Sequence, residues 1–294
     1  MQRIKETFTI YGKSTVLTLA LLAAFSSVVF FLSVKDTDKL TISFIDVGQG
    51  DSILIQTPSH KTMIIDGGPG NAVMRTLTHK LSFFNNDIDV VLPTHPDADH
   101  VTGLIDVIKQ YSVHMIVESP AKSETGVFQK LEQAVHDEEG AEHYIGNLGD
   151  SIDFGDGVTF TIVSPRTEVW HGEDTNDESV TGVLRYGDTT FLLTGDLPST
   201  HEDDVVATGF VPRNITVLKA GHHGSKFSSS DIFLKYLKPT YTIISAGKDN
   251  RYGHPNPEAL ARIEKESKSI LSTIDHGTIT FETDGRNLQI NTEK

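Results

Sequence analysis

The 294-residue chain carries 25 Lys and Arg against 40 Asp and Glu, 13 His and no Cys. The missing thiols exclude disulfide scaffolds, thiolate metal sites, cysteine nucleophiles and iron–sulfur clusters, so any metal must be held by His, Asp, Glu or backbone oxygen. A formal charge of −15 excludes a surface that coats nucleic acid generally, while leaving room for a local basic cleft.

Ser14–Val34 is an unbroken run of 21 uncharged residues, mostly Leu, Ala, Val and Phe. As a helix it would cover about 31 Å, close to the hydrocarbon thickness of a bilayer. Arg3, Lys5 and Lys13 precede it with only Glu6 opposing. That bias predicts a cytoplasmic N-terminus (1–13), a single membrane anchor (14–34) and an extracellular remainder. A cleaved signal sequence, releasing a secreted protein, is the alternative. Phe30-Phe31-Leu32-Ser33-Val34-Lys35 offers no small-x-small cleavage site and favours the retained anchor. Without residues 1–35 the chain keeps 21 basic and 39 acidic groups, a net −18.

No repeat or long linker interrupts the remainder, which reads as one domain over 40–291. Alternating or continuous apolar runs predict strands at Leu40–Val47, Ser52–Gln56 and Thr62–Asp66, then a helix over Asn71–Leu81. A strand at Ile88–Leu92 leads through Pro93-Thr94-His95 to a helix at Thr102–Gln110, a strand at Val113–Val117 and a helix over Gly126–Glu138. The second half repeats the style. Strands are expected at Ser151–Phe154, Val158–Val163, Val180–Tyr186, Thr190–Leu193, Ile215–Leu218 and Tyr241–Ser245. Helices are expected from Ser199, near Asp231–Leu237 and over Pro257–Lys268, and Thr278–Glu282 with Leu288–Ile290 closes a hairpin through Asp284-Gly285. Two such halves predict an α/β architecture of packed sheets with helices outside. Loops at one edge would gather His95–His100, Asp196, His222-His223 and His254.

The chemistry concentrates in Thr94-His95-Pro96-Asp97-Ala98-Asp99-His100-Val101-Thr102-Gly103, where four potential ligands fall within six residues between a strand and a helix. So many desolvated polar groups need a cation to offset the carboxylates. The competing reading is a solvated loop in which Asp97 or Asp99 caps the following helix. Leu193-Thr194-Gly195-Asp196 ends an apolar strand in a carboxylate, and His222-His223-Gly224-Ser225 follows another apolar strand. Adjacent His residues at a strand end point apart, so both are not expected on one metal.

His95-x-Asp97-x-Asp99-His100 resembles the His-x-His-x-Asp-His signature of the metallo-β-lactamase fold, with Asp97 in place of the second His. Together with Asp46-Val47-Gly48-Gln49-Gly50-Asp51, Asp66-Gly67-Gly68, Leu193–Asp196, His222–Ser225 and Tyr252-Gly253-His254-Pro255, it is similar to the metallohydrolase module of ComEC-type competence proteins. The resemblance spans about Leu40 to Ile290 and implies an αββα four-layer sandwich holding two divalent ions, Zn2+ or Mn2+. It implies His95, Asp97, Asp99, His100, Asp196 and His223 as metal ligands, Asp196 bridging. His222 is then the acid–base group, the choice between His222 and His223 staying open. Asp99 and His254 complete the implied catalytic set, His254 contacting phosphate or orienting a ligand.

By the same resemblance Asp66 fixes a ligand His, and Asp46 and Asp51 could do likewise. The third His of the first metal site is missing; the stretch Asn176-Asp177-Glu178-Ser179 stands where it would be, and His171 is nearby. Lys219, Lys226, Lys248 and Arg251 are expected to form a basic collar for phosphate.

The implied activity is hydrolysis of phosphodiesters by metal-activated bridging hydroxide, with DNA degradation the specific expectation. A phosphocholine-type esterase on a cell-surface polymer and a non-catalytic binding module with a degenerate metal site are the alternatives, and β-lactam hydrolysis is disfavoured by the altered His-x-His pair. A phosphoester, possibly DNA, and the membrane are the expected partners; no protein partner is inferred.

Overall fold

The computed structural model describes residues 15, 18–27, 39–81, 86–166 and 174–294. The chain divides into two compact units, Met1–Asp38 and Lys39–Lys294. In the first, residues 18–27 form a helix (α1). Residues 14, 16–17 and 28–34 of the predicted span 14–34 lie outside the described residues, and among those described no helix is long and apolar enough to cross a membrane. His171 also lies outside them.

The second unit is built on two sheets. One contains β1 (Leu40–Phe44), β2 (Ile53–Gln56), β3 (Thr62–Ile65), β4 (Asp87–Leu92), β5 (Ser112–Glu118) and β6 (Glu142–Ile145), joined by β14 (Ile279–Thr283) and β15 (Leu288–Thr292), in the order β15-β14-β1-β2-β3-β4-β5-β6. The other contains β7 (Ser151–Asp153), β8 (Val158–Ser164), β9 (Thr181–Tyr186), β10 (Thr189–Leu193), β11 (Val217–Lys219), β12 (Tyr241–Ile244) and β13 (Ser269–Ser272), in the order β13-β12-β11-β10-β9-β8-β7.

Side-chain alternation explains the layering. Ile53 and Ile55 of β2, Met63 and Ile65 of β3, Phe191 and Leu193 of β10, Val217 of β11 and Ile243 of β12 meet in one core between the sheets. Their neighbours Leu54 and Ile64 face α2 (Ala72–Lys80), α3 (Ala98–Gln110) and α4 (Gly126–Asp137). Leu192, Leu218 and Ile244 face α5 (Ser199–Ala207), α6 (Asp231–Leu237) and α7 (Pro257–Glu266). Strands buried on both faces read as continuous apolar runs, which is why they are so visible in the sequence. The layers are helix, sheet, sheet, helix.

Three local expectations are corrected. The closing hairpin does not stay with the second half: β14 pairs antiparallel with β1, Ile42 opposite Phe281, and so belongs to the first sheet. Strands β6 and β13 were not predicted. β6, Glu142-His143-Tyr144-Ile145, is an exposed edge with no apolar alternation, and β13 follows directly on α7, which stops at Glu266. Helix α3 begins at Ala98, four residues early, so Asp99 and His100 stand in its first turn, where a carboxylate also meets the positive end of the helix dipole.

Helix α3 is locked against the turn after β3. The Gly67 N–H donates to the His100 carbonyl at 2.6 Å and the Gly103 N–H to the Gly68 carbonyl at 3.0 Å. A Cβ on Gly103 would lie 2.0 Å from the Gly67 carbonyl oxygen, backbone that cannot step aside. Gly103→Ala is therefore expected to cost about 1–3 kcal/mol or more. Thermal unfolding should show a fall of several degrees, and an unchanged midpoint would contradict this docking.

Candidate metal centre

The site lies beyond the C-terminal ends of β4, β10, β11 and β12, the positions where parallel strands hand their chain to loops. β4 delivers His95, the first turn of α3 delivers Asp99 and His100, β10 delivers Asp196, and β11 delivers His222-His223. His95, His100, Asp196 and His223 are buried.

Each buried imidazole is oriented through its Nδ1. His100 Nδ1 donates to Asp66 Oδ2 at 2.8 Å, and His223 Nδ1 donates to the Ser245 carbonyl at 2.9 Å. Thr94 gives its hydroxyl proton to Asp66 Oδ2 at 2.7 Å, so at 3.0 Å from His95 Nδ1 its oxygen accepts. Ser179 Oγ lies 3.4 Å from the same nitrogen. All three rings are thus set with Nε2 as the free lone pair, and all three Nε2 atoms are buried with no hydrogen-bond partner, as is Asp196 Oδ1. Imidazoles that ligate metals are held by their other nitrogen in this way.

The Nε2 atoms converge on carboxylate oxygen. Asp196 Oδ2 lies 3.4 Å from His100 Nε2, 3.4 Å from His223 Nε2 and 4.0 Å from His95 Nε2. Asp99 Oδ2 is 3.4 Å from His223 Nε2. Donors about 2.0–2.1 Å from a tetrahedral ion stand about 3.3–3.4 Å from one another. Asp99, His100 and His223 offer donor atoms within 4.8 Å of one another, as do His95, His100 and Asp196, and the 3.4 Å contacts match the spacing around a divalent cation. His95, with Asp97 Oδ2 at 4.0 Å from its Nε2 and the shared Asp196, forms a looser, oxygen-rich second pole.

Five carboxylates (Asp51, Asp66, Asp97, Asp99, Asp196) surround three imidazoles, and this imbalance governs protonation. Burial disfavours charge on His100 and His223. Asp196 with Asp66 and Asp196 with Asp51 nonetheless hold their pKa values well above the ordinary range. Burial opposes ionisation of Asp196 too, yet His223 and His100 hold it well below the carboxylate range. Burial and the neighbouring His100 push His95 down to about 4.

The capping alternative for Asp97 fails on geometry. Asp97 occupies the N-cap position of α3 but makes no side-chain cap bond; its Oδ1 accepts from Thr175 Oγ1 at 2.8 Å, which leaves Oδ2 toward His95. The adjacent histidines do diverge, with ring planes at 79°, for a reason other than the expected strand pleat. They follow β11 in a tight turn with φ of 47° and 55°, left-handed backbone that non-glycine residues adopt at a cost. His223 points into the buried cluster. His222 stays about one-third exposed, its Nε2 3.7 Å from Asp196 Oδ2. His254 packs against it, ring centroids 5.4 Å apart.

Two residues play parts that the sequence did not assign. Ser179, completely buried, orients His95 and accepts from the Asp196 N–H at 3.2 Å, so the stretch lacking the third His contributes a hydroxyl instead. Lys219 is a correction: it is fully buried and cannot join a phosphate collar. Its ammonium lies 2.6 Å from Asp51 Oδ2, and Asp51 Oδ1 stands 3.5 Å from His223 Nδ1. A lysine ending the apolar strand Val217-Leu218-Lys219 was the available signal. Asp46 lies apart, paired with Lys294 at 3.1 Å. Lys219→Met would leave the buried Asp51 carboxylate without its closest cation and with only His223 beside it, at an expected cost of about 3–5 kcal/mol. Urea unfolding measures it, and an unchanged midpoint would mean the pair is not needed.

The two-sheet fold with a buried His/Asp donor cluster at its strand ends defines the class: a metal-dependent hydrolase. Residues 45–248 match the family model of the metallo-beta-lactamase superfamily, and the chain belongs to that family. It is 30% identical over 257 residues to ComE operon protein 3 of Bacillus subtilis (strain 168), covering 82% of this chain and 32% of that protein. It is 28% identical over 239 residues to competence protein ComA of Neisseria gonorrhoeae, covering 80% of this chain and 31% of that one. The chain thus spans about a third of the length of these competence proteins. Among solved structures, the metallo-beta-lactamase fold protein YhfI from Bacillus subtilis superposes with a TM-score of 0.55 at 11% identity, over 83% of this chain and 100% of that one.

Proposed function

We propose that this chain is a phosphodiesterase acting on nucleic acid, working with two divalent ions, zinc or manganese, at the His95–His223 cluster. The observation that carries the reading is the set of three buried Nε2 atoms aimed, unpartnered, at Asp196 and Asp99. Similarity to proteins named for competence supports nucleic acid as the substrate class.

Divalent ions bound there would supply Lewis acidity toward a phosphoryl oxygen and lower the pKa of water. Asp99, His100, Asp196 and His223 would hold one ion, and His95, Asp97 and the shared Asp196 the other. Asp66, Thr94, Ser179 and the Ser245 carbonyl keep the imidazoles in the ligating tautomer. In the reaction, water adds to phosphorus and releases a proton to solvent, and the ester P–O bond breaks with its electron pair on the leaving oxygen. His222, the most exposed imidazole of the cluster, delivers the proton to that oxygen. Burial, then His222 and His223, push His254 down to about 4, so it is neutral at pH 7 and acts by hydrogen bonding rather than by charge. The apolar run Ser14–Val34 after Arg3, Lys5 and Lys13 supports catalysis on the outer side of the cell membrane.

Hydrolysis of bis(p-nitrophenyl) phosphate by the metal-loaded full chain tests the reading. Turnover is expected, falling about 10²–10⁴-fold in His222→Ala, the range for losing a general acid. Turnover indifferent to His222 would remove it from that role.

A further inference from the structure

The loop that carries His254 holds its aromatic neighbour in the open. Tyr252 is 52% exposed, and its ring stacks on the His254 imidazole at 5.8 Å with 22° between planes. Asn250 fixes this loop from within: its Oδ1 accepts from the N–H groups of Tyr252 at 3.1 Å and His254 at 3.0 Å, and its Nδ2 donates to the Gly247 carbonyl at 2.9 Å. The Gly247 N–H in turn donates to Gln49 Oε1 at 3.2 Å, which ties the loop to the Gly48–Asp51 turn. An exposed tyrosine on so constrained a segment loses little freedom when a ligand covers it.

Tyr252 lines a cleft of about 440 Å³ together with Gln49, Pro69, Asp99, Asn250 and Arg251. That volume lies within the range of small-molecule sites, about 300–1,000 Å³. Asp99 is shared with the metal cluster, so the cleft opens directly from it. The exposed Arg251 guanidinium lies 4.8 Å from the Tyr252 ring centre and donates to the Tyr252 hydroxyl at 2.6 Å. A planar aromatic face beside a cation suits a planar, electron-rich group attached to a phosphate. It does not suit a quaternary ammonium, which would meet the charge of Arg251 at the ring it needs.

We propose that Tyr252 is a stacking platform for the nucleobase next to the scissile phosphate, with the Arg251 guanidinium packed over part of its ring. This rests on the phosphodiesterase reading of the adjoining cluster, and it makes a base-bearing strand, rather than a phosphocholine ester, the substrate. Tyr252 is a specificity-determining residue and takes no part in bond breaking.

The test compares a short single-stranded oligodeoxynucleotide with one of equal length built from abasic residues, using the full chain and Tyr252→Ala, Tyr252→Phe and Tyr252→Trp. Binding is read by fluorescence anisotropy in EDTA, where no turnover occurs, and initial rates are read with manganese. Tyr252→Ala should weaken binding of the base-bearing strand about 5- to 150-fold, the worth of one stacked base, and raise its KM alike. Binding of the abasic strand should change less than twofold, and Tyr252→Phe and Tyr252→Trp should retain the base preference. Equal losses on both strands, or none on either, would overturn the platform. Base-selective binding without hydrolysis of any diester would leave the platform standing and overturn the phosphodiesterase reading alone.

Discussion

Asp196→Ala is expected to lose phosphodiester hydrolysis by more than about a hundredfold and to bind metal far more weakly. Removing a group that merely orients a ligand costs about 10- to 100-fold in metal affinity or activity. Asp66→Asn, which disturbs the aim of His100 directly and that of His95 through Thr94, should fall in that range. Asp196 should exceed it, because one oxygen stands 3.4 Å from two imidazole nitrogens and 4.0 Å from a third, so both poles lose a donor at once. The substitution should not unfold the chain, since the Asp196 N–H and its hydrogen bond to Ser179 remain. Steady-state rates with a metal titration give both numbers. A variant as active as the parent would mean that the reaction does not use this cluster.

The second large effect is on stability. Five carboxylates and three unpartnered imidazole nitrogens packed together repel one another when no cation joins them, and partial protonation offsets this only in part. A metal that binds the folded chain alone stabilises it by about 4 kcal/mol when present at about 1,000 times its Kd. For a unit of this size that corresponds to a rise of about 8–16 °C in Tm. Chelation should reverse the rise, and Asp196→Ala should show little of it. A melting temperature indifferent to both chelator and added metal would place the ion, if one binds, elsewhere.

Much of this was legible in the sequence, for identifiable reasons. Strands such as β2, β3 and β10 are buried on both faces and advertise themselves as apolar runs. The ligand-rich segment His95–His100 stands out because six residues hold four donors. Distance in the chain hid the rest. Nothing local says that Ile279–Thr283 pairs with Leu40–Phe44, because only the register Ile42–Phe281 shows it. A lysine within seven residues of four other motif positions reads as a phosphate contact until its burial against Asp51 is seen. Ser179 is a small residue in an acidic stretch, and only the fold sets its hydroxyl beside His95. The divergence of His222 and His223 was expected from a pleated strand but arises from left-handed backbone, which no side-chain pattern announces.

Metal analysis of the reconstituted full chain weighs most heavily on the account. After incubation with manganese or zinc and removal of free ion, inductively coupled plasma mass spectrometry should find one to two ions per chain, against a clear deficit in Asp196→Ala. Metal at the level of the buffer blank in the parent chain would contradict the account at its base.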